Sequence, residues 1–168
     1  MRYAPAAFAL SLLSAVTASV SWSAPPSALD PRAAALVAEG RGALGAGKID
    51  AAIDAFEAAL AVQPGSVTIT LDLAEATRRN GLQGKALHYY RVALERDPQN
   101  QAAIAGEGVA LVEKGALEKA RRNLARLEQL CGRDCPTTRE LAAALSKGPP
   151  QRVVTADQIK PQPVVTTN

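Results

Sequence analysis

An all-α chain, a solenoid of three helix-turn-helix repeats closed by a C-terminal capping helix, is predicted by three observations. Only 4% of the 168 residues are aromatic although 48% are apolar, so alanine and leucine must supply most of the burial. That composition favours closely packed helices over strands, which are enriched in β-branched and aromatic residues. The sequence also repeats without a gap at 34 residues. Gly47, Ala52, Phe56, Ala59, Leu60 and Pro64 of residues 33–66 fall on Gly81, Ala86, Tyr90, Ala93, Leu94 and Pro98 of residues 67–100. A third unit, residues 101–134, continues the series with Gly115, Ala120, Leu124 and Leu127, its closing proline displaced to Pro136. Units of this length cannot bury their apolar faces alone and must stack.

Each unit reads as a helix A, a glycine turn, a helix B and a proline exit. Asp30 is placed to cap the first helix with Pro31 at its first position, so residues 25–32 form a linker and the start of that helix. Gly47, Gly81 and Gly115 end each helix A where the chain must turn. Gly40 and Gly108 are small residues that let a neighbouring helix approach, and Ala52, Ala86 and Ala120 lie at the closest crossing within each pair. Phe56, Tyr90 and Leu124 fill the space between stacked units. Glu39 and Glu107 stand at helix A positions where burial without a partner is costly, so they reach solvent or a basic group.

The stretch EGRGALGAGKID (39–50) imitates two phosphate-binding motifs. Gly40, Gly42 and Gly45 satisfy G-x-G-x-x-G, and Gly42, Gly47 and Lys48 satisfy most of G-x-x-x-x-G-K-[ST]. Both motifs require a preceding strand, yet PRAAALVAE reads as helix, and Ile49 replaces the hydroxyl that would hold magnesium. Gly47 recurs in the later units where no such loop exists. The cluster is a repeat turn, and no nucleotide or other cofactor is expected.

The period and its residues resemble the tetratricopeptide repeat family over residues 33–134. In that family Thr70 occupies a customary aromatic position. The resemblance implies a concave groove, lined by the A helices, that receives an extended or helical partner peptide. By register it would present Val37, Arg41 and Leu44, then Leu71, Asp72, Glu75, Arg78 and Arg79, then Val109, Val112 and Glu113. Some members grip a peptide's terminal carboxylates with Lys, Asn and Arg on these faces. The matching places here carry Val37, Arg41, Asp72, Ala102 and Gly106, of which only Arg41 could serve, so that mode is rejected.

Residues 135–148 are expected to form the capping helix. Thr137 and Glu140 have capping-box spacing, Leu141 and Leu145 form one apolar stripe, and Gly148 with Pro149 and Pro150 stops the helix. Residues 149–168 carry no helical stripe and are expected to be a disordered tail.

At the other end, Arg2 followed by the apolar residues 6–16 and by small residues reads as a signal peptide, residues 1–24, cleaved after Ala18 or near Ser23 or Ala24. The alternative is an N-terminal membrane anchor facing the periplasm. An exported chain occupies an oxidising compartment, where Cys131 and Cys135 read as a structural disulfide. The alternative function is a thiol redox or metal-handling protein using these cysteines. A redox motif wants the shorter C-x-x-C, and zinc wants four ligands where the chain offers two Cys and one His.

His88 reads as a surface histidine, and no acid, base and nucleophile come together. The charge of +3 does not predict nucleic-acid binding. The sequence therefore points to a non-enzymatic, periplasmic scaffold or adaptor that binds a protein or peptide. By analogy with the family, its partner would be an envelope assembly, pilus or secretion component.

Overall fold

The computed structural model describes residues 29–150. The expected signal peptide and most of the expected tail lie outside them. Among the described residues there are seven helices and no strand: α1 (Pro31–Gly45), α2 (Ile49–Val62), α3 (Val67–Arg79), α4 (Gln83–Arg96), α5 (Gln101–Glu113), α6 (Leu117–Cys131) and α7 (Pro136–Lys147). None of these helices is long and apolar enough to cross a membrane. Successive helices pack as antiparallel pairs, and α7 lies against both α5 and α6. The chain is thus an all-α solenoid of three hairpins with a closing helix.

Local chemistry explains the boundaries. Asp30 caps α1 by accepting the Arg32 amide at 2.8 Å, and Ser66 and Asn100 cap α3 and α5 in the same way. The B helices α2, α4 and α6 have no side-chain cap, because each is entered directly from a glycine turn. In the first turn Lys48 N–H donates to the Ala43 carbonyl at 2.9 Å and Gly47 N–H to Leu44 at 3.2 Å. The pair Leu82 to Thr77 and Gly81 to Arg78 repeats this, as does Ala116 to Leu111 with Gly115 to Val112. This double bond pattern closes a helix through a left-handed residue. Gly81 accordingly has φ +76° and Gly115 +82°, which a side chain would strain.

The capping box expected at Thr137 and Glu140 is not formed. Cys135 is the N-cap of α7, it makes no side-chain cap bond, and Pro136 occupies the first helical position. Proline presets the helical φ and pushes its predecessor into extended backbone, here φ −60°, ψ 136°. The helix therefore starts two residues before Thr137 could cap it, and Glu140 is exposed.

Two apolar clusters share the interior. The first joins α1, α2 and α3 through Ala33, Val37, Ala52, Ile53, Phe56, Ala59, Ile69, Leu73 and Ala76. The second joins α3 to α7 through residues that include Ala74, Ala86, Leu87, Tyr90, Ile104, Leu111, Leu127 and Leu141. Helix α3 faces both, and Tyr89 touches both from the B-helix side.

The small residues sit where the sequence places them. A Cβ on Gly40 would lie 2.5 Å from the Phe56 ring, and one on Gly108 would lie 2.5 Å from a Leu141 methyl. Ala74, the matching position of the second unit, is fully buried. Phe56 and Tyr90 are buried as expected, whereas Leu124 is only half-buried and the third unit is closed instead by Leu127 and Leu141. Thr70 is buried where an aromatic is customary, and its hydroxyl donates to the Ser66 carbonyl at 2.8 Å, which removes the cost of an unpaired polar group.

Candidate interaction face on the A helices

The A helices place three basic and three acidic side chains along one face, and these charges tie the helices to one another. Arg41 on α1 donates from Nε and Nη2 to Asp72 on α3, at 3.1 and 2.8 Å for the shortest contacts. One helical turn further, Glu75 accepts from Arg78 at 2.8 and 2.9 Å and from Arg79 at 2.7 Å. Arg78 then reaches across to Glu113 on α5. Tyr90 donates its hydroxyl to Glu75 at 3.1 Å from beneath. The result is an ionic strap of two links, Arg41–Asp72 between α1 and α3 and Glu75–Arg78–Glu113 between α3 and α5.

Environment sets the charge states within it. Burial alone would raise the Glu75 carboxyl, but hydrogen bonds and charge from Arg78 and Arg79 outweigh it and hold the carboxyl below its ordinary 4.5. Burial disfavours the charged Arg78, yet its bonds to Glu75 and the charge of Glu113 drive its basicity above the usual guanidinium value. Tyr90 is pushed upward by burial first and by the Glu75 charge second. It stays protonated and can donate.

A carboxyl that is more acidic in the folded state stabilises above its unfolded pKa, and that contribution fades as pH falls through the folded value. The expected result is a melting temperature that falls below pH 4.5. In Glu75→Gln the drop between neutral and acidic pH is smaller, with a lower starting point at neutral pH. Parallel acid limbs for the two proteins would contradict it.

The expected groove residues divide into two groups. Arg41, Asp72, Glu75, Arg78, Arg79 and Glu113 form the strap, and Leu44, Leu71 and Val109 are half-buried beside it on α1, α3 and α5. Val37 and Val112 were expected to be presented to a partner, but both are buried, at 3% and 2% exposure. Val37 turns into the first apolar cluster because it must pack against α2. Val112 floors a hollow of about 360 Å³ between α5 and α7, whose walls include Val109, Glu113, Ala143, Ala144 and Lys147. Arg41, the one residue able to grip a terminal carboxylate, is already held by Asp72.

Sequence reasoning named the charged residues but missed their pairing. The partners are 31 and 35 residues apart, three short of the 34-residue period and one beyond it. Opposite charges offset this way lie on facing turns of adjacent A helices, and that was the available signal. Elsewhere Glu107 meets Arg91 at 3.0 Å and accepts from Asn123, while Glu39 reaches solvent. His88 is exposed, stacked at an angle on Tyr89. Among the described residues no cluster of His, Cys, Asp and Glu could hold a metal. Cys131 ends α6 and Cys135 precedes α7, with Cα atoms 5.8 Å apart, a separation that a disulfide spans.

Residues 37–101 match the tetratricopeptide repeat family model. No curated protein matches the chain. Among solved structures, the Sgt2 tetratricopeptide domain of Aspergillus fumigatus superposes with a TM-score of 0.65 at 20% identity, covering 87% of this chain and 95% of that one. The first tetratricopeptide domain of Spaghetti (RPAP3), bound to the HSP90 peptide SRMEEVD, gives 0.63 at 22% identity, covering 71% and 95%. The type III secretion chaperone SycD of Yersinia enterocolitica, in complex with a peptide of the translocator YopD, gives 0.59 at 21% identity, covering 68% and 86%. At these identities the likeness concerns the fold. Together with the 34-residue period and the glycine turns, it shows that the described chain has the all-α tetratricopeptide repeat fold, with the family's repeat in residues 37–101.

Proposed function

We propose that this chain is a non-enzymatic adaptor of the cell envelope, exported to the periplasm, that receives a segment of a partner protein on the face formed by α1, α3 and α5. The observation that carries the reading is the ionic strap flanked by Leu44, Leu71 and Val109. It leaves a face of aliphatic patches between charges that are already matched. Two of the structural neighbours hold peptides, which supports a peptide-receiving role for the same architecture. A secretion or pilus component is the class of partner this reading favours.

The pairing of charges also limits the mode of binding. Three cations and three anions that neutralise one another steer no strongly charged ligand, so apolar contact and backbone hydrogen bonds carry the recognition. An acidic peptide end such as that of SRMEEVD is not the expected occupant.

A photoreactive residue at Leu71 in the exported protein is expected to capture the partner, and one at His88, on the B-helix side, is not. Capture from His88 alone would overturn the face assignment. In the same reading Cys131 and Cys135 form a structural disulfide that fixes how α7 meets α6. Titration of the native exported protein is then expected to find no free thiol, whereas a readily reduced, cycling pair would favour the thiol redox reading.

A further inference from the structure

The ionic strap follows the repeat, so the place of its next link is fixed by register. Carried two 34-residue periods along the chain, Arg41 and Asp72 fall on Val109 and Glu140; carried one period, Arg78 and Glu113 fall on Val112 and Lys147. Those four residues do come together, in the hollow of about 360 Å³ between α5 and α7. There a valine stands where each link had its cation, and the residue opposite is left alone. Glu140 and Lys147 are exposed and make no ion pair among the described residues. The gaps between α1 and α3 and between α3 and α5 are each bridged by charge, and this third gap is open.

The site that results has an apolar floor and one charge of each sign at its rim. Val112, at 2% exposure, forms the floor with half-buried Val109, and Ala143 and Ala144 of α7 form the facing wall. The carboxylate of Glu113 is engaged by Arg78 and takes no part. Glu140 and Lys147 stand seven residues apart on α7, about 10.5 Å along the helix axis. Ligand pockets begin at roughly 300 Å³, so a hollow of about 360 Å³ admits a side chain and not a whole helix.

We propose that this hollow is the anchor subsite of the interaction face, and that it takes an apolar side chain of the partner segment flanked by a cation that meets Glu140 and an anion that meets Lys147. The inference rests on the adaptor reading above and adds the chemistry of the occupant. That segment carries opposite charges about 10 Å apart with an aliphatic or aromatic residue between them. Burial of the apolar side chain supplies the affinity, and the two rim charges set the direction in which the segment lies along α7. Its charges sum to zero, in keeping with a strap whose own charges are matched.

The probe is a library of random peptides displayed on phage and selected on the full chain, with the affinity of the enriched sequence read by fluorescence anisotropy. The expected consensus is one Leu, Ile, Met or Phe between a Lys or Arg on one side and an Asp or Glu on the other. Ala143→Trp, at an exposed position of the wall, fills the hollow and is expected to weaken binding several-fold or more with no fall in melting temperature. In the Glu140→Lys, Lys147→Glu double variant the same peptide is expected to lose about tenfold in affinity, and a peptide with its two charges exchanged regains it. Leu82→Ala, at an exposed turn, changes neither. A selection that enriches nothing, a consensus without paired charges, or an enriched peptide indifferent to Ala143→Trp would each overturn the proposal. So would a dimer of the full chain that Ala143→Trp dissociates, which assigns the hollow to a second copy, or a gain in peptide affinity on removal of residues 151–168, which assigns it to the chain's own end. None of these readouts uses the native partner. Capture at Leu71 that persists in Ala143→Trp leaves the face assignment standing and removes only the anchor.

Discussion

Replacing Phe56 with alanine is expected to cost about 3–5 kcal/mol of unfolding free energy. The ring is fully buried, it seats against the bare backbone of Gly40 on α1, and it belongs to a cluster drawn from α1, α2 and α3. A side chain enclosed from three helices leaves a cavity that none of them can close without moving away from the other two. Urea unfolding measures the loss. Leu124→Ala, at the matching place of the third unit, is the internal comparison. Leu124 is half-buried, so its truncation is expected to cost roughly 2 kcal/mol or less. Equal losses at the two positions would show that the two sites are equally enclosed, against the structure.

The second large effect is expected at Arg78. Its side chain is 17% exposed, and its guanidinium bonds two carboxylates on two helices. Arg78→Ala leaves Glu75 and Glu113 partly buried without the cation between them. Removing one partner of a fully buried pair costs about 3–5 kcal/mol. With the carboxylates 31% and 23% exposed, solvent screens part of the loss, and about 2 kcal/mol is expected. Adding Glu113→Gln is expected to recover part of that loss, because an amide tolerates the same site without a charge. A double-mutant cycle reads this coupling directly. Strictly additive losses would mean that Arg78 and Glu113 contribute independently. The strap would then be a surface coincidence and no link between α3 and α5.

The fold was legible because the repeat restates its own rules. Gly47, Gly81 and Gly115 announce the same left-handed turn three times, and Ala52, Ala86 and Ala120 the same close crossing. Any one of these alone is weak, as the phosphate-like glycines around Gly42 show. The misreadings came from residues whose role depends on a single neighbour. Thr137 has the spacing of a capping box, but Pro136 starts the helix sooner, and proline geometry outranks a side-chain hydrogen bond. Val37 and Val112 share a helix face with groove residues by register, yet a rotation of part of a turn decides whether a valine meets solvent or the next helix. Register places a residue to within such a rotation and no better. The ionic strap was hidden for a related reason: its members are visible in the sequence, but their pairing depends on how far neighbouring A helices slide past each other.

Helix α3 divides its sides between the two apolar clusters, with Ile69, Leu73 and Ala76 in one and Ala74 in the other. It therefore acts as a spine on which two lobes are hung, each with its own dry interior. Each lobe carries one ionic tie to that shared helix, Arg41–Asp72 from α1 and Arg78–Glu113 to α5, so the two halves of the solenoid are joined through α3 by charge as well as by apolar packing.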